Sequence, residues 1–103
     1  MKKLVHNPHP GEILRDEFLR PLGLSQNELA TLIGVPANRI SDLVRGRRDI
    51  SADTDLRLCH ALGLSHGFWL RLQLNFDMME VKRNSKEILK SIKPLTKSSP
   101  HAA

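Results

Sequence analysis

The residues with the clearest capacity for recognition chemistry lie close together, between positions 37 and 48. Asn38 and Arg39 carry forked donor and acceptor groups that match the edges of adenine and guanine in the major groove of DNA. Residues 39–48 also hold four arginines against one acid, Asp42, and local positive charge of this kind attracts nucleic acid phosphates. The polar set expected on one helix face is Ala37, Asn38, Arg39, Ser41, Asp42 and Arg45. This pattern favours contact with DNA bases.

Two short helices joined by a tight turn are predicted to position this polar set. Ser25 is a good N-cap for the first of them, and Glu28 three residues later completes a capping box. Gly34 follows the last periodic apolar residue, where a left-handed backbone is needed to end the helix. Pro36 suits the first turn of the second helix, which would run over 36–44.

The inward faces of the two helices must pack against each other across that turn. The apolar positions are Leu29, Ala30, Leu32 and Ile33 in the first helix and Ile40, Leu43 and Val44 in the second, which Gly46 would end. Small Ala30 lets the backbones approach, and helix–turn–helix is the DNA-binding arrangement of this kind. The alternative is an ordinary helical hairpin with a solvated polar face. The arginines at one end of the second helix favour DNA binding.

A further helix is predicted before this pair, over residues 10–19. Pro10 can occupy its first turn, while Pro21 and Gly23 would end it. Its core face would be formed by Ile13, Leu14 and Phe18, with Leu22 and Leu24 tucked beneath it.

Two more helices are predicted after the pair, which makes the domain all-α with five helices. Helix four would run over 52–62 with Ser51 as its N-cap, and helix five would run over 66–81 with Ser65 as its N-cap. The apolar face of helix four would consist of Leu56, Cys59 and Leu62, with Leu58 and Ala61 beside them.

Helix five is too apolar for a helix that buries a single face. One stripe consists of Trp69, Leu72, Phe76 and Met79, and a second of Leu70, Leu74 and Met78. Since one buried face needs only one stripe, another copy of the chain or a different protein is expected to cover the second. The expected interface residues are Trp69, Leu70, Leu74, Phe76 and Met78. The alternative is a helix sunk entirely in its own core.

The charge balance distinguishes the domain from its tail. Six of the sixteen Lys and Arg residues and one of the eleven acids lie in 82–97, so residues 1–81 hold ten of each. We expect an extended arm over 1–8, one domain over 9–81 and a basic, partly disordered tail over 82–103. No apolar run reaches the roughly 18 residues of a membrane span, and no signal peptide is evident. A cytoplasmic location without a membrane partner is therefore expected.

Catalytic and metal-binding chemistry is not expected. His6 and His9 supply at most half of a metal site, because a structural zinc needs four closely spaced ligands; unliganded surface histidines are the better interpretation. Cys59 is the single cysteine, and its place on an apolar helix face predicts an inert buried thiol. No glycine-rich phosphate loop or nucleophile elbow occurs. We expect no enzymatic activity, cofactor, metal or small-molecule ligand.

Four segments of the sequence together carry a family resemblance. They are HPGEIL at 9–14, GLSQNELA at 23–30, RGRRDISADTDLRL at 45–58 and GFWLRLQLNFD at 67–77. The helix–turn–helix, with Gln26 opening it and small Ala30 within it, looks like that of phage-repressor-type (Xre) regulators. The first and last segments narrow the resemblance to HigA-type antitoxins, also known as virulence-associated protein I. It implies a five-helix, lambda-repressor-like bundle with the helix–turn–helix at helices two and three.

The resemblance also implies a function, that of a small dimeric antitoxin without catalytic activity. Such a protein binds a palindromic operator, represses its own operon and neutralises a HigB-type RNA-cleaving toxin. Base contacts would fall on the polar set of the second motif helix, and phosphate contacts on Ser25, Gln26, Arg47 and Arg48. Asp42 is an unusual acid in such a place: it would accept a hydrogen bond from a cytosine amine or orient Arg39 or Arg45.

Two other functions are compatible with the same residues. One is a stand-alone Xre-type repressor of a prophage or mobile element with no toxin partner. The other is a protein-interaction module whose helix–turn–helix no longer binds DNA, which the neutral balance of residues 1–81 permits. The basic link over 45–48 argues against this second alternative.

Overall fold

The computed structural model describes residues 6–95, which form six helices and no strand. Helix α1 consists of three consecutive segments, Pro10–Ile13, Leu14–Leu19 and Arg20–Leu22; the others are α2 (Gln26–Ile33), α3 (Ala37–Val44), α4 (Ala52–Leu62), α5 (Phe68–Arg83) and α6 (Lys86–Lys90). The all-α class and the five expected helices are confirmed, and α6 is a short addition. Residues 1–5 of the predicted arm and 96–103 of the predicted tail lie outside the described part. Within that part, no helix has the length and apolar character needed to cross a bilayer.

Helix α1 ends later than the sequence predicts. The helix continues through Pro21 to Leu22, and Gly23 closes it with a φ of 65°. The segment Leu14–Leu19 is π-helical. A proline ring clashes with the carbonyl four residues back in a regular α-helix, and the wider π-turn just before Pro21 changes that spacing. Leu22 is 61% exposed, so its predicted place beneath the helix was wrong.

The turn between α2 and α3 forms as predicted. The Ser25 hydroxyl accepts the Glu28 N–H at 3.0 Å, and the Glu28 carboxylate accepts the Ser25 N–H at 2.8 Å. Gly34 ends α2 with a φ of 71°, and Pro36 is the N-cap of α3. The buried inward residues are Leu29, Ala30, Ile33, Ile40, Leu43 and Val44. Leu32 was wrongly assigned to this face, since it is 61% exposed. Each residue turns the helix by about 100°, so Leu32 lies outside the arc that Leu29, Ala30 and Ile33 occupy.

A buried carboxylate joins α4 to α5. Asp55 is 3% exposed and accepts N–H bonds from Gly67, Trp69 and Leu70 at 2.6, 2.8 and 3.1 Å. These donors lie at the start of α5, where the first N–H groups have no partner within the helix. The positive end of the helix dipole stabilises the carboxylate further.

This carboxylate explains why the predicted start of α5 was wrong. The helix begins at Phe68 after Gly67, which has a φ of 97°, and not at His66 after a Ser65 cap. Asp55 supplies the acceptors that a local serine would otherwise provide. The cap is therefore a tertiary contact from α4.

Helix α4 has the predicted bounds of 52–62. Ser51 caps it as expected, because its hydroxyl accepts the Thr54 N–H at 3.2 Å. The predicted apolar face is only partly right: Cys59 is fully buried, whereas Leu56 is 50% exposed. The reason is that the inward face is centred on Thr54, Asp55, Leu58 and Cys59. Leu56 therefore lies on the outward side of the helix.

One hydrophobic core holds the first five helices together. Trp69 is fully buried in it, with its ring centroid 5.2 Å from that of Phe18 and 5.1 Å from that of Phe68. The other buried apolar residues are Leu14, Leu19, Leu29, Ala30, Ile33, Ile40, Leu43, Val44, Ile50, Leu58 and Cys59. Because Trp69 lies in the first turn of α5, the start of that helix determines how the core is filled.

Helix α1 packs directly on the backbone of α3. Gly11 is buried, and a Cβ atom at this position would lie 1.7 Å from the carbonyl oxygen of Leu43. A glycine is therefore required for this approach. His9 fixes the beginning of α1 beside it, since its Nδ1 accepts the Gly11 N–H at 2.9 Å. The contact positions α3 relative to the rest of the domain.

We predict that Gly11→Ala lowers the free energy of unfolding by at least about 2 kcal/mol, because overpacking against a backbone cannot be relieved by a side-chain rotation. Urea unfolding followed by Trp69 fluorescence measures the change. Gly63→Ala is the control: it meets nothing within 4 Å but has a φ of 70°, so backbone strain alone costs about 1 kcal/mol. A Gly11→Ala variant as stable as the unchanged protein would contradict the close contact.

Candidate nucleic-acid interface

The outward part of α3 presents the polar set predicted from the sequence. Ala37, Asn38 and Arg45 are exposed, whereas Ile40 and Leu43 on the opposite side are fully buried. The remaining members, Arg39, Ser41 and Asp42, are half-buried. The structure therefore brings all six candidate base-contact residues together, five on α3 and Arg45 as its C-cap, and a major groove about 12 Å wide admits such a helix.

Arg39 is held by an acid from another helix. Asp53, in the first turn of α4, binds the Arg39 Nη1 at 3.2 Å and the Arg57 Nε at 2.9 Å through the same oxygen, Oδ2. Sequence reasoning missed both Asp53 and Arg57 as neighbours of the recognition surface. Their i,i+4 spacing is a signal for the pair itself, but nothing local connects the pair with Arg39, fourteen residues before Asp53.

The structure bears on one of the roles considered for Asp42, that of orienting Arg39. Within residues 6–95 the acid that binds Arg39 is Asp53, which argues against one of the alternatives left open for Asp42, the orientation of Arg39. Asp42 follows Arg39 by three residues on the same side of α3, but the Arg39 guanidinium is directed at α4, where it contacts Asp53. A contact of Asp42 with cytosine, or an effect on Arg45, stays a prediction.

The four candidate phosphate contacts lie at two places. Arg47 and Arg48 are exposed in the link between α3 and α4, while Ser25 and Gln26 lie at the start of α2. Free N–H groups at a helix N-terminus attract anions. Glu28 occupies part of that region: the Ser25 backbone N–H, followed by its side chain, holds the pKa of the Glu28 carboxyl below its usual range. The Ser25 site is therefore less positive than the arginine link.

The basic link is attached to the core at its far end. Ile50 is 5% exposed, and its N–H donates to the Oε1 of Gln73 at 2.8 Å. Gln73 is buried on α5, where its Nε2 also donates to Asp77 at 3.0 Å. Sequence reasoning missed Gln73, because a glutamine between apolar residues gives no sign of its hydrogen-bond partner. The link that carries Arg47 and Arg48 thus has a fixed end.

The second stripe of α5 is exposed, as the interface prediction requires, but Trp69, a predicted interface residue from the first stripe, is not. Trp69 is fully buried in its own core, so its assignment to an interface was wrong: periodicity identifies helix faces but not which face the domain itself covers. Leu70, Leu74 and Met78 are 37%, 58% and 47% exposed, and their spacing of four residues places them on one face. These three remain candidates for contact with a partner.

The histidine pair near the N-terminus belongs to a helix cap. His9 is 6% exposed and is the N-cap of α1, so its prediction as a surface histidine was wrong. The Glu12 carboxylate accepts the His9 N–H at 3.3 Å and contacts the His6 Nε2 at 2.9 Å. Phe76, another predicted interface residue, is half-buried edge-on to the His9 ring at 5.0 Å. Residues 6–95 contain no group of three potential metal ligands.

The paired helices, the glycine turn and the outward polar helix define a class of protein. A helix-turn-helix family model matches residues 14–69, more than half of the 103 residues. The expected lambda-repressor-like bundle, with its motif at the second and third helices, is confirmed. The protein is thus an Xre-type helix-turn-helix protein.

Individual relatives narrow the class further. Virulence-associated protein I of Dichelobacter nodosus is 42% identical over 78% of this chain and 74% of its own length. Antitoxin HigA-1 of Vibrio cholerae is 35% identical over 100% of this chain and 98% of its own length. The structure of Pseudomonas aeruginosa antitoxin HigA with the higBA promoter is 40% identical, has a TM-score of 0.82 and matches 88% of this chain and 100% of that one. This chain belongs to the HigA-type antitoxin family, a family of DNA-binding proteins that are not enzymes.

Proposed function

We propose that this protein is a homodimeric antitoxin of a type II toxin–antitoxin system. It represses its own operon by binding a palindromic operator, and it neutralises a HigB-type RNA-cleaving toxin in the cytoplasm. It needs no cofactor, metal or small-molecule ligand. The observation that carries the proposal is the outward side of α3, where Asn38 on the helix and Arg45 at its C-cap are exposed, whereas Ile40 is fully buried.

Base recognition in this proposal is concentrated on two side chains. The base-contact residues are Ala37, Asn38, Arg39, Ser41, Asp42 and Arg45, and the phosphate-contact residues are Ser25, Gln26, Arg47 and Arg48. Asn38 and Arg39 supply most of the discrimination, since a good bidentate contact with a base contributes about 1–3 kcal/mol. The phosphate contacts fix the register of α3 in the groove and make binding depend on salt.

We predict that Arg39→Ala and Arg48→Ala weaken operator binding in different ways, although each removes one positive charge. Arg39→Ala costs about 1–3 kcal/mol and relaxes specificity at one base pair. Arg48→Ala weakens binding to all sequences and lowers the salt slope by about 1. Anisotropy titrations with a selected operator and its single-base variants, at several salt concentrations, measure both effects. Unchanged affinity and specificity in Arg39→Ala would overturn the recognition-helix assignment.

The exposed stripe of α5 supports the dimer in this proposal. Leu70, Leu74 and Met78 lie on one face, and Val81, 60% exposed, continues that face. The twelve residues from 70 to 81 extend this face over about 16 Å of helix. A two-fold axis beside the stripe pairs it with its own copy. Reading two half-sites on one side of DNA then requires the two α3 helices to lie about 34–36 Å apart.

We predict that Leu74→Glu raises the dissociation constant of the dimer by more than about tenfold, because an unpaired carboxylate would be buried between the copies. Native mass spectrometry and light scattering across protein concentrations measure the change. Leu32→Glu is the matched control, since Leu32 on α2 is 61% exposed and Leu74 is 58% exposed. A dimer that Leu32→Glu weakens and Leu74→Glu leaves intact would place the interface elsewhere.

The neutralisation of a toxin rests on the family relationship. The relatives include proteins named as HigA antitoxins that match nearly the whole length of this chain. An antitoxin must cover a functional surface of its toxin, and apolar surface that remains exposed in the free protein is suited to such contact. The stand-alone repressor is the competing function, and it differs only in lacking a toxic partner.

We predict that this chain, tagged and expressed with the reading frames that flank its gene, purifies with a small basic neighbour. Native mass spectrometry of the purified material gives the stoichiometry, and growth assays test whether the chain relieves that neighbour's toxicity. The neighbour expressed alone is the control. A bare homodimer, with flanking proteins that are harmless when expressed alone, would leave a repressor without a toxin.

A further inference from the structure

A single carboxylate oxygen connects two arginines beside the recognition helix. The Oδ2 atom of Asp53 lies 3.2 Å from the Arg39 Nη1 and 2.9 Å from the Arg57 Nε. Arg39 belongs to α3, whereas Asp53 and Arg57 lie one turn apart on α4. The side chain of Arg39 is 28% exposed and that of Asp53 is 56% exposed, so the arginine packs along the protein surface while the carboxylate is open to solvent.

Arg57 is itself attached to the turn of the helix–turn–helix. Its Nη1 donates to the carbonyls of Ile33 and Gly34 at 2.7 and 3.3 Å, at the end of α2. The last carbonyls of a helix have no partner within it, and a cation there complements the helix dipole. Arg57 therefore joins the end of α2 to the same carboxylate that holds Arg39. The recognition side chain is connected with both neighbouring helices.

Folding stability does not explain this network well. The Asp53 side chain is 56% exposed and that of Arg57 is 40% exposed, and ion pairs at such exposure contribute little to stability. Their effect on orientation is larger, because an unrestrained arginine side chain has many rotamers. The guanidinium has five N–H donors, and a bidentate contact with guanine uses two of them. Arg39 can thus bind Asp53 and a base at the same time.

We propose that Asp53 is a positioning residue for base recognition. It holds Arg39 in the orientation that α3 needs in the major groove, and its charge reduces the attraction of Arg39 for phosphates of any sequence. Asp53 itself touches no base. The inference rests on the DNA binding proposed above, and it assigns specificity to a residue outside the recognition helix.

The test is the ratio of operator affinity to affinity for unrelated DNA of equal length, measured by anisotropy at fixed salt. We expect Asp53→Asn to lower this ratio roughly three- to tenfold, a part of what a bidentate contact provides. Operator binding weakens, while binding to unrelated DNA stays equal or strengthens. The loss is concentrated at the one base pair where Arg39→Ala also relaxes specificity.

Asp49→Asn is the charge-matched control. Asp49 lies in the link between α3 and α4, its side chain is 71% exposed, and its Oδ1 lies 3.6 Å from the Nε2 of His9, a contact that the side-chain oxygen of asparagine can also make. Its replacement removes the same charge without touching Arg39, so affinity for operator and unrelated DNA should rise together and leave the ratio unchanged. If the two variants changed the ratio equally, the effect of Asp53 would be that of any nearby negative charge, and the proposal would be overturned.

A double variant tests whether Asp53 acts through Arg39. In an Arg39→Ala background, Asp53→Asn should leave the ratio unchanged; a further loss there would overturn the proposal.

Thermal unfolding checks that each variant is folded, and Asp53→Ser, which suits the first turn of a helix, replaces Asp53→Asn if that variant does not fold. If the unchanged chain lacked any sequence preference, the proposed function would fail. An unchanged ratio in Asp53→Asn beside an operator-specific parent would refute the role of Asp53 alone.

Discussion

The buried carboxylate of Asp55 is the interaction on which the arrangement of the helices depends. A buried charge is costly unless it is hydrogen-bonded, and three backbone N–H groups at the start of α5 surround this one. Those N–H groups lack partners in their own helix, so each side satisfies the other. The contact fixes Trp69 in the core, and one turn later it brings Gln73 to the N–H of Ile50. A carboxylate on α4 thus controls where the basic link is attached.

The helix boundaries that the sequence predicts correctly are those with local causes. The capping box of Ser25 and the left-handed Gly34 depend on residues within one turn, and both are found as expected. The start of α5 was wrong because Ser65 is a plausible local cap, whereas the real acceptor, Asp55, comes from another helix. Trp69 was misplaced for a related reason: a helix with two apolar stripes does not indicate which stripe its own domain covers. Local patterns predict elements, and tertiary contacts decide between their alternatives.

The candidate site also divides into features that local sequence predicts and features that only tertiary contacts create. The polar set of α3 could be predicted because α3 is a short helix whose apolar positions are unambiguous, which leaves the outward side by elimination. The partners of that set could not, because Asp53 reaches Arg39 across fourteen residues and only the packing of α4 against the motif creates the contact. The role of His9 was equally hidden. An imidazole that caps a helix looks, in sequence, like one that is free to bind a metal.

The distribution of acids explains how residues 1–81, which together carry no net charge, can present a basic surface. Residues 1–81 hold equal numbers of basic and acidic side chains, so long-range attraction cannot come from their sum. The structure engages several of the acids locally instead: Asp55 is buried among N–H donors, Glu28 accepts in a helix cap, and Asp53 lies between two arginines. The arginines of the 45–48 link stay exposed. Attraction to a polyanion therefore acts over a short range. It is stronger for a partner whose phosphates fit this surface than for one that only carries negative charge.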